Sequence, residues 1–380
     1  MTRLASRADI AMKKGERMAR MSGNMNRRQF LATSGIALAG LGLSACGGSS
    51  TSDSGSSNSG SASGKKRIVY IINGTLGDKS FFDSGHEGME KIADQYGDQY
   101  ETDTREMGYD TSVWESTALD IASEGWDIMI MGTFDMVEYA DEIATQYPDT
   151  KIWFFDESWD FNTYPHDNIY GMLFAQNQGS YLVGMAAAYA TKTKKVAFMG
   201  GMQNKVLQDF FVGYKQGVAA VDPSIEVVDD WTQSFSDSTI GHDHARALYQ
   251  QGYDIVFSCC SSCGLGAFDA AVEMGDGYYV IGVDGNQGEY WASQGDTDKA
   301  AHTLTSMQKN VNNTFLDAAG EELKGTLPYG TVVTYGLDKG GVSYSITDTT
   351  KEVLTDDQLA AIDQAQQDII NGKITVDTTF

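Results

Sequence analysis

Residues 68–78 read IVYIINGTLGD, an apolar run that ends in a loop of turn-forming residues. A short continuous apolar run of this kind is typical of a strand that is buried on both faces of a parallel sheet. After the loop, Ser80 and Asp83 form a capping pattern, and apolar residues recur at helical spacing as far as Tyr96. The stretch therefore predicts one strand, one turn and one amphipathic helix.

The same strand and helix unit recurs along the rest of the chain. Further strands are predicted at residues 127–131, 152–155, 169–174, 196–199, 225–231, 255–258 and 279–283. Helical periodicity fills most of the intervening segments, which predicts an α/β fold with parallel sheets covered by helices on both faces. The units form two series, and about 315 residues exceed one ordinary core, so two doubly wound lobes are expected.

The N-terminal segment is predicted to lie outside this fold. Arg27 and Arg28 precede an apolar run over residues 32–43, which is followed by small residues and Cys46. This order is typical of a secretory signal, and the run is shorter than the ~20 residues of a membrane-spanning helix. The paired arginines also resemble a twin-arginine export signal. Residues 1–45 are therefore expected to be a signal peptide.

Residues 43–46, LSAC, resemble the lipobox of bacterial lipoproteins. That resemblance implies that Cys46 becomes the first mature residue and carries a lipid, which anchors the protein to the extracytoplasmic face of the cell membrane. Residues 47–64 are nearly all Gly, Ser and Thr, a composition that behaves as a flexible tether. Residues 46–64 are therefore expected to connect the membrane anchor to the folded lobes.

The chain that follows the signal peptide is strongly acidic. Residues 1–45 hold eight of the 27 Lys and Arg residues and two of the 52 Asp and Glu residues, so the remainder carries a net charge of −31. This acidity argues against nucleic-acid binding, because its affinity comes largely from cationic contacts to phosphates. The acidity also argues against a polyanionic ligand.

The cysteines and histidines do not form a recognisable metal or catalytic motif. Cys259, Cys260 and Cys263 follow a predicted strand, without a second Cys or His pair at zinc-site spacing. We interpret them as small residues in a tight turn, although a local disulfide stays open in an exported chain. His242 and His244 lie in a predicted helix. The sequence also lacks a phosphate-binding loop and a nucleophile elbow, so no cofactor, metal or enzymatic activity is predicted.

The fold predicts where a ligand binds. In open parallel sheets, ligands bind beyond the carboxyl ends of the strands, where the free N–H groups of helix N-termini also lie. The loops in question are residues 73–80, 132–135, 156–159, 200–205, 258–266 and 284–287.

Several segments resemble, in the same order, the basic membrane protein family of solute-binding lipoproteins, which are PnrA/Med-like purine nucleoside receptors. They are GDKSF at residues 77–81, YPD at 147–149, GSYLVG at 179–184, GGM at 200–202, GLG at 264–266, IGVD at 281–284 and SMQK at 306–309. The resemblance extends from about residue 67 to the C-terminus. It implies a type I periplasmic-binding fold, with two lobes joined by three crossovers, and delivery of the ligand to the permease of an ABC transporter.

The resemblance also suggests lobe boundaries. Crossovers are expected near residues 174–177, after Asp284 and near Tyr335. The expected lobes are residues 65–175 with 300–334 and residues 176–299 with 335–380.

Two aspartates are candidate ligand residues. Asp284 ends a predicted strand, and the resemblance implies that its carboxylate accepts hydrogen bonds from two neighbouring ribose hydroxyls, which are strong because the acceptor is charged. Asp78 precedes the first helix. It either accepts a hydrogen bond from the ligand, as the resemblance implies, or caps the helix.

The other candidates are aromatic, cationic and small residues. The resemblance implies that Phe81 and Phe210 stack on the two sides of a purine, whereas core packing is the usual fate of phenylalanine. It also includes Gly264 in a ligand loop. Lys309 is expected to donate to a sugar oxygen or to hold an acidic ligand residue in place, with a solvated lysine as the alternative. Phe82 departs from the family pattern and leaves the identity of the base open.

Other functions remain compatible with the sequence. The same fold could serve a ligand sensor that feeds a signalling protein, or a receptor for riboflavin or a sugar. A secreted hydrolase is a third class.

Overall fold

The structure is a computed structural model, and it describes residues 64–380. The expected signal peptide, the lipidation site Cys46 and nearly all of the tether lie outside the described residues. Within residues 64–380, no helix has both the length and the apolar character that crossing a bilayer requires.

Strands and helices alternate along most of the described chain. The strands are β1 (Lys66–Ile72), β2 (Tyr100–Glu106), β3 (Ile128–Gly132), β4 (Lys151–Phe155), β5 (Ile169–Phe174), β6 (Lys195–Gly200), β7 (Glu226–Trp231), β8 (Ile255–Cys259), β9 (Tyr279–Asp284), β10 (Thr303–Lys309), β11 (Thr331–Tyr335) and β12 (Val342–Tyr344). The helices are α1 (Phe81–Tyr96), α2 (Trp114–Ala122), α3 (Val137–Gln146), α4 (Gln176–Ala190), α5 (Lys205–Val221), α6 (Ser238–Gln250), α7 (Leu265–Met274), α8 (Gln287–Ser293), α9 (Thr297–Ala301), α10 (Val311–Lys324), α11 (Asp348–Val353) and α12 (Asp356–Ile370).

The first lobe is built on a parallel sheet with the strand order β11-β5-β4-β3-β1-β2. Side chains of β1 alternate between its faces. Ile68 and Tyr70 pack in the core formed with α1 and α10, whereas Val69 and Ile71 pack in the core formed with α2 and α3. Because both faces of β1 are covered by helices, residues 68–72 of this strand are apolar without interruption.

The second lobe repeats this arrangement, with the strand order β12-β10-β9-β8-β6-β7 and an antiparallel β12 at its edge. Helices α4 and α5 pack on one face of the sheet, and α6 and α7 pack on the other. Helices α4 and α5 approach closely, because a Cβ atom on Gly217 would lie 2.0 Å from the carbonyl oxygen of Tyr181. The predicted pair of doubly wound lobes is confirmed.

The chain passes between the sheets after β5, after β10 and after β11. The expected crossover after Asp284 is wrong, because β10 pairs with β9 in the second sheet. Residues 303–309 therefore belong to the second lobe, and the second crossover, back to the first lobe, comes after Lys309. Helix α10 then packs against α1 in the first lobe. The error arose because one more parallel strand completes the second series before the chain leaves it.

Candidate ligand-binding site

A cavity of about 430 Å³ lies between the two sheets, at the carboxyl ends of their strands. This volume lies within the range of about 300–1,000 Å³ that is usual for small-molecule sites. Lining residues of the first lobe are Asn73, Phe81, Phe82, Tyr109, Thr111, Trp114, Thr133, Phe134, Asp135 and Asp156. Lining residues of the second lobe are Met202, Asn204, Val206, Leu207, Phe210, Gln233, Ser234, Phe235, Ser236, Cys259, Ser261, Val283, Asp284 and Lys309.

An ion pair joins the two lobes at the cavity. Lys309 is the last residue of β10, and its Nζ donates to Oδ1 of Asp156 at 2.5 Å. Asp156 follows β4 of the opposite sheet, and only 2% of the Lys309 side chain is exposed. Burial raises the pKa of Asp156, and the ammonium group of Lys309 opposes that rise. Lys309 is therefore a buried interlobe residue and not a solvated lysine.

Asp284 lines the cavity, and one of its two carboxylate oxygens lacks a hydrogen-bond partner within residues 64–380. Its Oδ2 accepts a hydrogen bond from Ser80 Oγ of the first lobe at 2.8 Å. Its Oδ1 is buried and has no hydrogen-bond partner among residues 64–380. Burial raises the pKa of Asp284 to about 6, although the charge of Lys309 and the bond from Ser80 oppose the rise. A buried acceptor without a partner is costly, so this oxygen is suited to a donor from a ligand.

Asp78 lies at the start of α1 and does not line the cavity. Its carboxylate accepts from the backbone N–H groups of Ser80, Phe82 and Asp83 at 3.0–3.1 Å. It also accepts from Ser261 Oγ of the second lobe at 3.0 Å. Of the two roles considered for this residue, the structure supports the helix cap, and it adds a contact between the lobes.

Aromatic rings form much of the cavity wall. Phe81 and Phe210 both line it, one from each lobe. The Nζ atom of Lys309 lies 4.7 Å from the ring centroid of Phe210 and 5.5 Å from that of Phe81. Phe81 also stacks on Phe155 at 5.3 Å, so part of its surface is used in the core. The ammonium group of Lys309 thus lies within cation–π distance of both rings that the resemblance suggested as a stacking pair.

Gly264 is buried behind the cavity and does not line it. Its carbonyl oxygen accepts from Ser258 Oγ at 3.2 Å, and an added Cβ atom would lie 2.5 Å from that hydroxyl oxygen. Ser261 is the residue of this loop that reaches the cavity. Gly264 is needed for close packing of the turn that positions Ser261.

The sequence analysis missed two loops of the site. Tyr109 and Thr111 line the cavity beyond β2, a strand that the sequence analysis did not predict. Gln233, Ser234, Phe235 and Ser236 line the cavity and follow β7, which is a parallel strand like the others. The strand-end rule applies equally to β7, so the same signal could have found them.

Backbone strain is concentrated at the cavity. Non-glycine residues with positive φ angles include Thr133 (75°), Asp156 (69°), Gln233 (57°), Ser261 (52°) and Asp284 (61°), and all five line the cavity. L-residues rarely adopt this conformation, and such residues cluster at functional sites where the surrounding structure holds them. All five residues lie at or just beyond the ends of strands, at the edge of the cavity.

Comparison with known proteins agrees with this architecture. A family model described as ABC transporter substrate-binding protein PnrA-like matches residues 65–379. The chain belongs to this family. The ABC transporter nucleoside-binding protein BmpA of Lactococcus lactis is 32% identical over 322 residues, which cover 82% of this chain and 88% of the relative. The CD4+ T-cell-stimulating antigen of Listeria monocytogenes is 30% identical over 320 residues, covering 80% and 85%.

Two solved structures of similar fold are those of ABC transporter solute-binding proteins. One from Aeropyrum pernix K1 has a TM-score of 0.70 at 22% identity and covers 82% of this chain and 92% of that chain. Another, from Actinobacillus succinogenes with bound D-allose, has a TM-score of 0.59 at 14% identity and covers 76% and 100%. The type I periplasmic-binding fold and the family resemblance are confirmed. Members of this family are ABC transporter substrate-binding proteins and not enzymes.

Proposed function

We propose that this chain captures a purine nucleoside in the interlobe cavity and presents it to the permease of an ABC importer. The observation that carries the proposal is the unpaired, buried Oδ1 of Asp284 in an aromatic cavity. A ribose hydroxyl would supply the missing donor, and a flat base has rings on which to stack. The nucleoside-binding relative from Lactococcus lactis supports the same ligand class.

The charge of the cavity favours a neutral ligand. Asp135, Asp156 and Asp284 line it, and Lys309 is the only cation among the lining residues of the described chain. Lys309 is already paired with Asp156. A phosphate group would meet uncompensated negative charge, so we expect nucleosides to bind and nucleotides to be rejected.

Closure of the lobes would enclose the ligand. Contacts between the lobes include Ser80 with Asp284, Ser261 with Asp78, and Lys309 with Asp156. Each contact joins a residue of the first lobe to a residue of the second lobe, so opening of the cleft would break all three contacts. Hinge closure of this kind gives a permease two distinguishable states to recognise.

Ligand binding is tested by thermal unfolding of dialysed protein with adenosine, guanosine or inosine. A nucleoside at about 100 times its Kd stabilises by about 2.7 kcal/mol, and the corresponding nucleotide should give no shift. Riboflavin and D-allose serve as competing ligand classes. No shift with any nucleoside, together with a shift for riboflavin or D-allose, would overturn the nucleoside assignment. Release of free base during incubation would indicate a hydrolase.

The transport role and the anchor need separate tests. Deletion of the gene should abolish uptake of a labelled nucleoside, whereas a signalling sensor would leave uptake intact. We further propose that Cys46 carries the lipid anchor, so Cys46→Ser should move the protein from the membrane fraction to the medium or periplasm. Retention of the Cys46→Ser protein in the membrane would contradict the anchor.

A further inference from the structure

Cys260 and Cys263 form a C-x-x-C pair outside the ligand cavity. Both residues are fully buried, and they flank the start of a short 3₁₀ helix, Ser261–Gly264, that leads into α7. Cys260 is the N-cap of this helix and Cys263 is its third residue, so they are the first and fourth residues of one tight turn. The Cα atoms at the two ends of such a turn lie within about 7 Å of each other, and the Cα atoms of a disulfide are about 4.4–6.8 Å apart. Both side chains pack in the same small core cluster, beneath α6 and α7. The two cysteines therefore share one turn and one buried cluster.

Cys259 is directed away from this pair. It is the last residue of β8, and it lines the ligand cavity. Cys260 and Cys263 instead belong to the core on the opposite face of the sheet, beneath α6 and α7. Successive side chains along a strand point to opposite faces, so Cys259 is not placed to compete for either partner.

The surroundings of the two sulfurs differ in a way that suits disulfide exchange. Hydrogen bonds from Cys260, from the side chains of Thr232 and Ser234 and from the backbone N–H of Gly241 lower the pKa of the Cys263 thiol. The hydrogen bond to Cys263 and burial raise the pKa of the Cys260 thiol. Cys263 is thus the better attacking sulfur, because the thiolate is the nucleophile.

We infer that Cys260 and Cys263 close an intramolecular disulfide in the exported protein. The Cys263 thiolate attacks one sulfur of a small disulfide oxidant and releases a thiol, and Cys260 then loses its proton and displaces the second thiol. The two cysteines together give up two protons and two electrons, and the oxidant is reduced to two thiols. The inference rests on the proposed export, because disulfides persist in oxidising compartments.

The bond would stabilise one of the contacts between the lobes. Ser261 lies between the two cysteines, has a strained φ of 52° and donates to Asp78 across the cleft. A disulfide that closes this turn holds Ser261 in the geometry that reaches Asp78. The oxidised protein should therefore bind the nucleoside of the proposed function more tightly than the reduced protein.

The first test measures the thiols and is independent of any ligand. The full chain is purified from the extracytoplasmic side without reductant, denatured, and labelled with N-ethylmaleimide. In the segment of residues 259–263 we expect one label before reduction and three labels after it, as read by mass spectrometry. Cys259→Ser should retain the mass deficit of two hydrogens, whereas Cys263→Ser should lose it. Three labels on the unreduced wild-type segment would overturn the disulfide, without requiring any variant to fold.

The second test measures the functional consequence. The nucleoside Kd is compared before and after reduction of the folded protein, and we expect about a fivefold weakening, which corresponds to one net hydrogen bond. An unchanged Kd with a verified disulfide would overturn the link between the bond and the cleft. Absence of nucleoside binding in both states would instead contradict the proposed function and leave the disulfide established by mass.

Discussion

Replacement of Asp284 by Asn should stabilise the ligand-free protein while weakening ligand binding. The amide has nearly the shape of the carboxylate and can still accept the hydrogen bond from Ser80 Oγ. It lacks the negative charge that the buried position disfavours. The effects on stability and on binding should therefore have opposite signs, as expected for a residue retained for function.

The pKa shift sets the size of the stability effect. The pKa of Asp284 rises from 3.8 to about 6, and each unit corresponds to about 1.4 kcal/mol. Ionised Asp284 thus lowers the free energy of unfolding by at most about 3 kcal/mol above pH 6. This figure is an upper limit, because opening of the cleft would return the carboxylate to water. The folded protein holds the proton more tightly than the unfolded chain. Protonation of Asp284 therefore stabilises the folded protein. This stabilisation is fully present below about pH 4 and is lost as the pH rises through about 6.

Urea unfolding of the ligand-free proteins at pH 4.5 and pH 8 tests this reasoning. Asp284→Asn should exceed the wild type by up to about 3 kcal/mol at pH 8, and the difference should shrink at pH 4.5. Its nucleoside affinity should fall roughly 10- to 150-fold, the equivalent of one charge-assisted hydrogen bond of about 1.5–3 kcal/mol. Asp94→Asn, exposed on α1, is the control and should change neither quantity. Equal destabilisation of Asp284→Asn at both pH values would refute the reasoning.

Three further perturbations test the packing of the cleft and of the second lobe. Lys309→Met leaves Asp156 buried without its cation and should lower the free energy of unfolding in urea by roughly 3–5 kcal/mol. Adding Asp156→Asn should restore part of this stability, and additive losses in the double variant would contradict the pairing. Gly217→Ala should lower the Tm through overpacking of about 1–3 kcal/mol, and an unchanged Tm would mean that α4 and α5 separate easily. Removal of residues 376–380 takes away the donors of Thr378 and Thr379 to buried Asp209, which precedes Phe210 in α5. Both stability and nucleoside affinity should fall. An unchanged affinity in calorimetry would show that the C-terminus does not support the binding site.

Local patterns predicted most, but not all, of the strands. The apolar run of β1 is visible in the sequence because both of its faces are buried. Strand β2, YETDTRE, was missed because it lies at the edge of the sheet and only Tyr100 is fully buried. Its strand conformation depends on pairing with β1, which no periodicity within β2 reveals.

The candidate site was predicted in part for a similar reason. Phe81, Phe210, Asp284 and Lys309 lie at the cavity, whereas Gly264 lies behind it in a packed turn. Strand-end loops could be identified from the alternation of strands and helices. Which side chain of each loop faces the cleft depends on backbone conformations, such as the positive φ of Ser261, that the sequence does not specify on its own.

The sequence by itself determined the acidic charge, which follows from composition alone. It also determined the α/β alternation and the edge of the sheets at which a ligand would bind, because both follow from the order of neighbouring residues. Only the tertiary structure decided that β10 belongs to the second sheet and that Lys309 pairs with Asp156, 153 positions earlier. Such pairings depend on strand order and on how the two sheets face each other. These are properties of the assembled fold, because the partners meet only after both lobes have formed.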